Sequence, residues 1–407
     1  MIIILYEIEY MQQFTIDELK KQFLDIYGGD EKDLRVFSAP GRVNLIGEHT
    51  DYNGGFVFPA ALTMNTTIIA RKRSDNLIKL CATDLPDRVE ADITRLGDYK
   101  DLKWGNYQIG VAYELEKLGY DIVGCEILSH GTIPYGGGLS SSASIEVSIA
   151  VMFATFSNEK NGITKDLDMI EMAKVSQRTE HTYAGVNCGI MDQFASAMGK
   201  KDMAIFLNCK TLDYKLVPLK MAGHKLIIAN TNKKRGLADS KYNERRSECE
   251  KAFEILKTAM PEKTCLGDIT IDEFEKHAHL ISDPIVKNRA KHVIYEDDRV
   301  LKSIDALEKG DLNAFGKLLC ESHDSLRDLY EVTGIELDAL VDEARKIDGT
   351  IGSRMTGAGF GGCSVSLVKD EAVDKFIEEV GKNYTEKIGY APSFYVSEIG
   401  DGGREIK

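Results

Sequence analysis

Tryptophan and proline are scarce in this chain: Trp104 stands alone, and 407 residues carry only eight prolines. No proline-rich linker, internal repeat, heptad array or low-complexity block interrupts the sequence. Metal-type and disulfide-type cysteine patterns are missing too. The eight cysteines, at 81, 125, 188, 209, 249, 265, 320 and 363, form no Cys-x-x-Cys pair and no zinc-like spacing. Buried, reduced thiols in a cytoplasmic protein are the expectation. No apolar run reaches the ~20 residues that would span a bilayer. The opening Met1-Ile-Ile-Ile-Leu-Tyr6 is short and lacks a basic leader and a small-residue cleavage site, so it makes a poor signal peptide. Residues 1–10 are expected as an edge strand or an extended start, with Met11 opening an amphipathic helix through Phe14, Ile16, Leu19 and Phe23. Positive charge is in deficit: 51 Lys and Arg against 65 Asp and Glu leave a net charge of -14, which argues against a nucleic-acid-gripping role. It does not exclude a nucleotide, whose phosphates can be held by backbone amides, a metal ion and one or two placed cations.

What remains is a globular mixture, 43% hydrophobic and 29% charged, too long for one ordinary core. Strands are expected at Leu34–Ser38, Thr66–Arg71, Cys125–Ser129, Ala204–Asn208 and Lys225–Asn230. Helices are expected at Ser141–Phe156, Leu167–Tyr183, Asp239–Thr258, Val300–Glu308 and Leu337–Ile347. Strands cluster and helices follow in groups, so the class is α+β. Two domains are expected, residues 1–205 and residues 206–407.

Three glycine-rich segments carry the chemistry. The middle one, Ile133-Pro-Tyr-Gly-Gly-Gly-Leu-Ser-Ser-Ser-Ala-Ser144, runs into apolar positions Ile145, Ile149, Met152 and Phe153 at helical spacing. Glycines admit an anion close to the backbone, and the free amides of a first helical turn point at it. The segment lacks the Gly-Lys-Ser/Thr of a Walker loop and the G-x-G-x-x-G of a dinucleotide fold. Serine capping of a helix would use the same residues. The third segment, Ser353-Arg-Met-Thr-Gly-Ala-Gly-Phe-Gly-Gly-Cys-Ser364, precedes a strand-like run and reads either as cover for a nucleotide or as a tight turn. The first, Ala39-Pro-Gly-Arg-Val-Asn-Leu-Ile-Gly-Glu-His-Thr-Asp-Tyr-Asn-Gly-Gly55, gathers Arg42, Glu48, His49 and Asp51. Glu48 and Asp51 are three apart, so one helical turn would aim both carboxylates the same way, a pairing suited to vicinal sugar hydroxyls. A solvated acidic turn is the plainer reading.

Taken together, the segments resemble the GHMP kinases, and the P-G-R-V-N-L-I-G-E-H-T-D-Y run is similar to the signature of that family's galactokinase branch. Further matches stand at Trp104-Gly-Asn-Tyr107, Cys188-Gly-Ile-Met-Asp-Gln-Phe194, Ser240-Lys-Tyr-Asn-Glu-Arg-Arg246 and Glu321-Ser-His-Asp-Ser-Leu-Arg327. The resemblance implies a two-domain GHMP kinase fold with the active site in the interdomain cleft. It also implies ATP-dependent phosphorylation of the anomeric hydroxyl of galactose, or of N-acetylgalactosamine; a catalytically silent sugar and ATP sensor is the alternative from another class. By the same resemblance Asp192 would take the proton and Arg42 would be its basic partner. Glu48, His49, Thr50, Asp51, Gly189 and Tyr242 would contact the sugar. Gly136, Gly137, Gly138, Leu139, Ser140, Ser141 and Ser142 would bind ATP, with Trp104 flanking the base, and Ser142 and Glu180 would hold Mg2+. Plainer roles compete for several of these: helix capping for Asp192 ahead of a helix from Ala195, a structural hydrogen bond for His49, core packing for Tyr242 and Trp104, and an exposed helical position for Glu180. Tyr135 departs from the loop's usual Pro-x-Gly residue. A monomer with small-molecule substrates, and no membrane or nucleic-acid partner, is expected.

Overall fold

A computed structural model describes residues 14–233 and 238–407. The expectations for residues 1–10 and for Met11 lie outside them. Helix α1 (Ile16–Tyr27) is started by Thr15, which forms a reciprocal capping box with Glu18. The chain then enters a large sheet with β1 (Arg35–Asn44), passes the short β2 (Phe56–Val57), and continues through β3 (Pro59–Lys72), β4 (Leu77–Ala82), β5 (Val89–Asp92) and β6 (Cys125–Gly131). Strands β7 (Met203–Asn208) and β8 (Tyr214–Pro218) join β2 in a three-stranded sheet. Strands β9 (His224–Asn230), β10 (Thr350–Thr356), β11 (Cys363–Lys369) and β12 (Ser393–Ser397) form a four-stranded sheet in the order β10-β11-β9-β12. Finally β13 (Arg404–Ile406) returns to β1 and completes the first sheet as β13-β1-β3-β6-β4-β5.

Both faces of the large sheet are covered, and its alternation shows it. Val36, Ile69 and Leu128 pack toward Leu19 and Phe23 of α1, whereas their neighbours Phe37, Ile68 and Ile127 pack into the main core. That core is closed by α2 (Gly105–Lys117), α3 (Ser141–Lys160), α4 (Met169–Thr179) and α5 (Met191–Met198). A second core joins the sheets: Val43, Leu45, Ile133 and Leu139 meet Ile228, Val365 and Phe315. A third is helical and packs α6 (Ala238–Lys257) against the helix Pro284–Glu308.

The strand and helix expectations all fall on observed elements, with longer bounds in several cases. Thr66–Arg71 is the end of a 14-residue strand, and Val300–Glu308 is the last part of a 25-residue helix. The expected change of domain after residue 205 falls inside β7, and β13 carries the last part of the chain back to the first sheet. All eight cysteines are free thiols. Among the described residues no helix is long and apolar enough to cross a membrane.

Candidate active site

The three glycine-rich segments meet. A Cβ on Gly41 would lie 2.5 Å from the Leu139 carbonyl, and one on Gly357 would lie 2.9 Å from that of Gly138. Only glycine lets β1 and the 357–362 loop approach the middle loop so closely. The middle loop itself turns through left-handed backbone at Gly136 and Gly138 and delivers Ser140, also at positive φ, to the start of α3. Ser140 makes no capping bond there. Its Oγ donates instead to Asp192 Oδ2 at 2.7 Å.

Asp192 reaches this point from the first turn of α5, which begins at Met191 rather than at Ala195, because Met191 and Phe194 are drawn into the main core. Its other oxygen, Oδ1, accepts from Arg42 Nε at 2.9 Å and pairs with Nη2 at 2.7 Å. The fork-shaped guanidinium thus grips one carboxylate edge while Nη1 donates to the Gly138 carbonyl at 2.7 Å. Arg42 is a strand residue whose side chain is 4% exposed, whereas that of Asp192 keeps 33% and faces the cleft.

The expected helical turn through Glu48 and Asp51 does not form. Gly47 and His49 both sit at positive φ, and a short helical turn starts only at Asp51. Both carboxylates line the cleft nonetheless, because the loop is folded back rather than coiled. Glu48 is held from inside: Arg354 Nη1 lies 2.8 Å away, the Gly357 amide donates at 2.6 Å, and Asn44 Nδ2 and Thr356 Oγ1 complete the ring. Removal from water pushes its carboxyl upward, and Arg354 opposes that shift. The Thr50 hydroxyl is turned away from the cleft toward the Gly47 and Phe56 carbonyls. His49 Nδ1 pairs with Tyr52 Oη at 2.7 Å, and burial pushes the imidazole down to about 3, so the ring is neutral. Tyr242 packs beside His49 and Tyr52, with ring centroids 5.7 Å and 5.3 Å away. Asp51 lies over Gly189, where an added Cβ would stand 1.8 Å from Oδ2. Loss of water, with negative Asp192 nearby, raises the Asp51 carboxyl to about 6.

These residues wall a cleft of about 280 Å³, closed on its far side by Gly357–Gly362. Ser142 and Glu180 also line it; Glu180 lies in a widened helical turn that follows α4 and is 6% exposed, so it is not the exposed helical residue of the plainer reading. A second cavity of similar size opens beside the loop, lined by Trp104, Tyr107, Tyr135, Ser141 and Ser142. Tyr107, Gly136 and Ser142 belong to both, so the cavities meet where the loop faces Tyr107. Leu139 is different: its side chain is buried in the core that joins the sheets, and only its backbone serves the site, accepting from the Arg42 amide at 3.1 Å. Four acids line the cleft, Glu48, Asp51, Glu180 and Asp192, against the cations Arg42 and Lys233. Such walls accept a polyphosphate only with a counter-cation. The oxygen donors of Ser142 and Glu180 suit a hard divalent ion. Among the described residues no three His, Cys, Asp or Glu side chains form a metal cluster by themselves.

Sequence reasoning missed Arg354, Asn44, Lys233 and Tyr330, whose ring lies 4.8 Å from that of His49 and whose hydroxyl meets that of Tyr52 at 2.8 Å. Arg354 sits inside the third glycine segment, but nothing local marks it as the partner of a residue 306 positions earlier.

Three family models match the chain: the galactokinase galactose-binding signature at residues 21–72, the GHMP kinases N terminal domain at 106–200, and the GHMP kinases C terminal at 303–386. The galactokinase of Clostridium tetani is 50% identical over 399 residues, covering 98% of this chain and all of that protein. That of Bacillus subtilis is 48% identical, covering 96% of this chain and 99% of its own length. The crystal structure of Lactococcus lactis galactokinase complexed with galactose superposes with a TM-score of 0.91 at 42% identity, covering 96% and 100% of the two chains. The mevalonate kinase of Methanococcus jannaschii shares the fold alone, with a TM-score of 0.64 at 20% identity over 90% of this chain and 98% of that one.

Proposed function

Because the chain belongs to the galactokinase family of the GHMP kinases, we infer that it transfers the γ-phosphoryl group of ATP to the anomeric hydroxyl of α-D-galactose, giving galactose 1-phosphate. One observation carries the assignment of roles: the Arg42–Asp192 pair, joined by Ser140, at the edge of a glycine loop and facing open cleft. Phosphoryl transfer needs in-line positioning, neutralisation of spreading charge and an acceptor for the attacking hydroxyl's proton. Asp192 accepts that proton. Arg42 fixes its orientation and places positive charge between carboxylate and phosphates.

Asp51, Tyr242, His49 and Glu48 form the sugar pocket, with Gly189 as its floor. Carboxylates read hydroxyl orientation because an epimer leaves one unpaired in a dry pocket. Thr50 holds the loop. Gly136 to Ser142 present backbone amides to the phosphates, and Trp104 and Tyr107 flank the base in the second cavity. Ser142 and Glu180 would hold Mg2+, which would supply positive charge against the phosphates. A monomer working in the cytoplasm, with an N-terminal part over residues 1–205 and a C-terminal part over 206–407, completes the proposal.

The test is ADP release measured across hexoses and N-acetylhexosamines, with the phosphate position of the product read by NMR. Galactose is expected to be the best substrate and C1 the phosphorylated carbon; a strong preference for N-acetylgalactosamine, or no ADP release with galactose, would refute the reading. The sugar floor can be tested separately. Gly189→Ala drives a methyl group into Asp51, so the KM for galactose should rise about tenfold or more while the KM for ATP stays put. An unmoved galactose KM would take Asp51 out of the sugar pocket.

A further inference from the structure

Glu146 is a buried carboxyl that neither the fold nor the roles above explain. It lies on α3 and is 0% exposed. Its Oε1 has no hydrogen-bond partner, and Oε2 has only Gln193 Nε2, at a long 3.4 Å. A buried acid left this poorly paired is costly, so it calls for a species that the protein chain itself does not supply. Its place on the helix says which. Ser142 and Glu146 are four apart on α3 and share a face, and helical side chains lean toward the N-terminus, which directs the Glu146 side chain toward the Ser142 end of the helix. Glu180 and Asp192 both act on it as negative neighbours. Ser142, Glu180 and Glu146 thus belong to one acid-rich neighbourhood beside the cleft, where a divalent cation would offset the charge of the acids.

We propose that Glu146 is a positioning residue for the divalent cation of the reaction, acting through Ser142, Glu180 and the water the ion retains rather than as a direct ligand. The inference rests on the reading of Ser142 and Glu180 as the ion's holders. Indirect action follows from the place of Glu146, fully buried behind the cleft wall that Ser142 and Glu180 line, and from the tendency of Mg2+ to keep several waters. Outer carboxylates of this kind orient the direct ligands, and their removal typically weakens metal binding about 10–100-fold.

The experiment measures Mn2+ binding by electron paramagnetic resonance in the presence of ADP, with galactose affinity by calorimetry as the reference. Glu146→Gln keeps the shape and the Gln193 contact but removes the charge. Mn2+ affinity should fall about tenfold or more, and galactose affinity should not change. Glu146→Asp keeps the charge but withdraws it, and should give a smaller loss; it also decides the matter if the Gln variant does not fold. Glu180→Gln separates the two levels of the argument. If it leaves Mn2+ binding unchanged, the metal reading itself fails. If it weakens binding while Glu146→Gln and Glu146→Asp bind like the parent, only the role of Glu146 is overturned, and the residue is structural.

Discussion

Asp192→Asn should lower kcat by about 10²–10⁴-fold, the usual cost of losing a general base. The change is a clean probe because the amide can keep the site's architecture. Its oxygen can still accept from Arg42, and the Ser140 hydroxyl, which now donates at 2.7 Å, can rotate to accept from the new NH2 group. Arg42 also stays anchored to the Gly138 carbonyl, so the loop should not move. ATP affinity should therefore hold if, as proposed, Asp192 acts on the sugar hydroxyl and not on the nucleotide. Single-turnover rates with a coupled ADP assay, and nucleotide titration by calorimetry, check the two halves. Parental turnover in the variant would remove Asp192 from the chemistry. Loss of ATP binding along with turnover would mean instead that the residue serves the phosphate loop.

Glu48→Ala should be costly in another currency. Arg354 is 0% exposed and Glu48 1%, and they face each other at 2.8 Å. The guanidinium donates otherwise to the Asn44 and Leu45 carbonyls, while its Nε and Nη2 have no hydrogen-bond partner. Removing the carboxylate leaves a buried charge without its counter-ion, a loss of about 3–5 kcal/mol in comparable pairs. The Gly357 amide loses its acceptor as well, and with it the tie between the first and third glycine segments. The expected result is a marked drop in thermal and urea stability, with weaker galactose binding beside it. Replacing both members, Glu48→Met with Arg354→Met, should recover a large part of the stability and none of the sugar affinity. A Glu48→Ala variant as stable as the parent would show that the pair contributes nothing to the fold.

These two residues mark how far the sequence could be read. Glu48 stood out as an acid beside His49 and Asp51 in a short glycine-rich run, and it does line the cleft. Its partner Arg354 could not be inferred, because no local rule connects a loop after β1 with strand β10. Asp192 without the family resemblance reads as a helix cap. Only the arrival of Arg42 and Ser140 gives it a different task. Ser140 in turn reads as a cap and caps nothing. The strands were legible where apolar residues run together, as at Cys125–Ser129, since a sheet covered on both faces needs such runs. The extension of β1 through Pro40, Gly41 and Arg42 was not, because those residues give no strand signal; Pro40 and Arg42 are held by pairing with β3 on either side of an irregularity at Gly41.

By itself the sequence determined the class of fold, the positions of most helices and strands, and the three segments where glycine must lie close to other backbone. These are local properties, set by side-chain periodicity and by the backbone freedom of glycine. Tertiary structure alone decided which charges meet: Arg42 with Asp192, Glu48 with Arg354, and Glu146 buried short of partners. Electrostatic pairing depends on distance in space and on exclusion of water, and neither is encoded by neighbours along the chain.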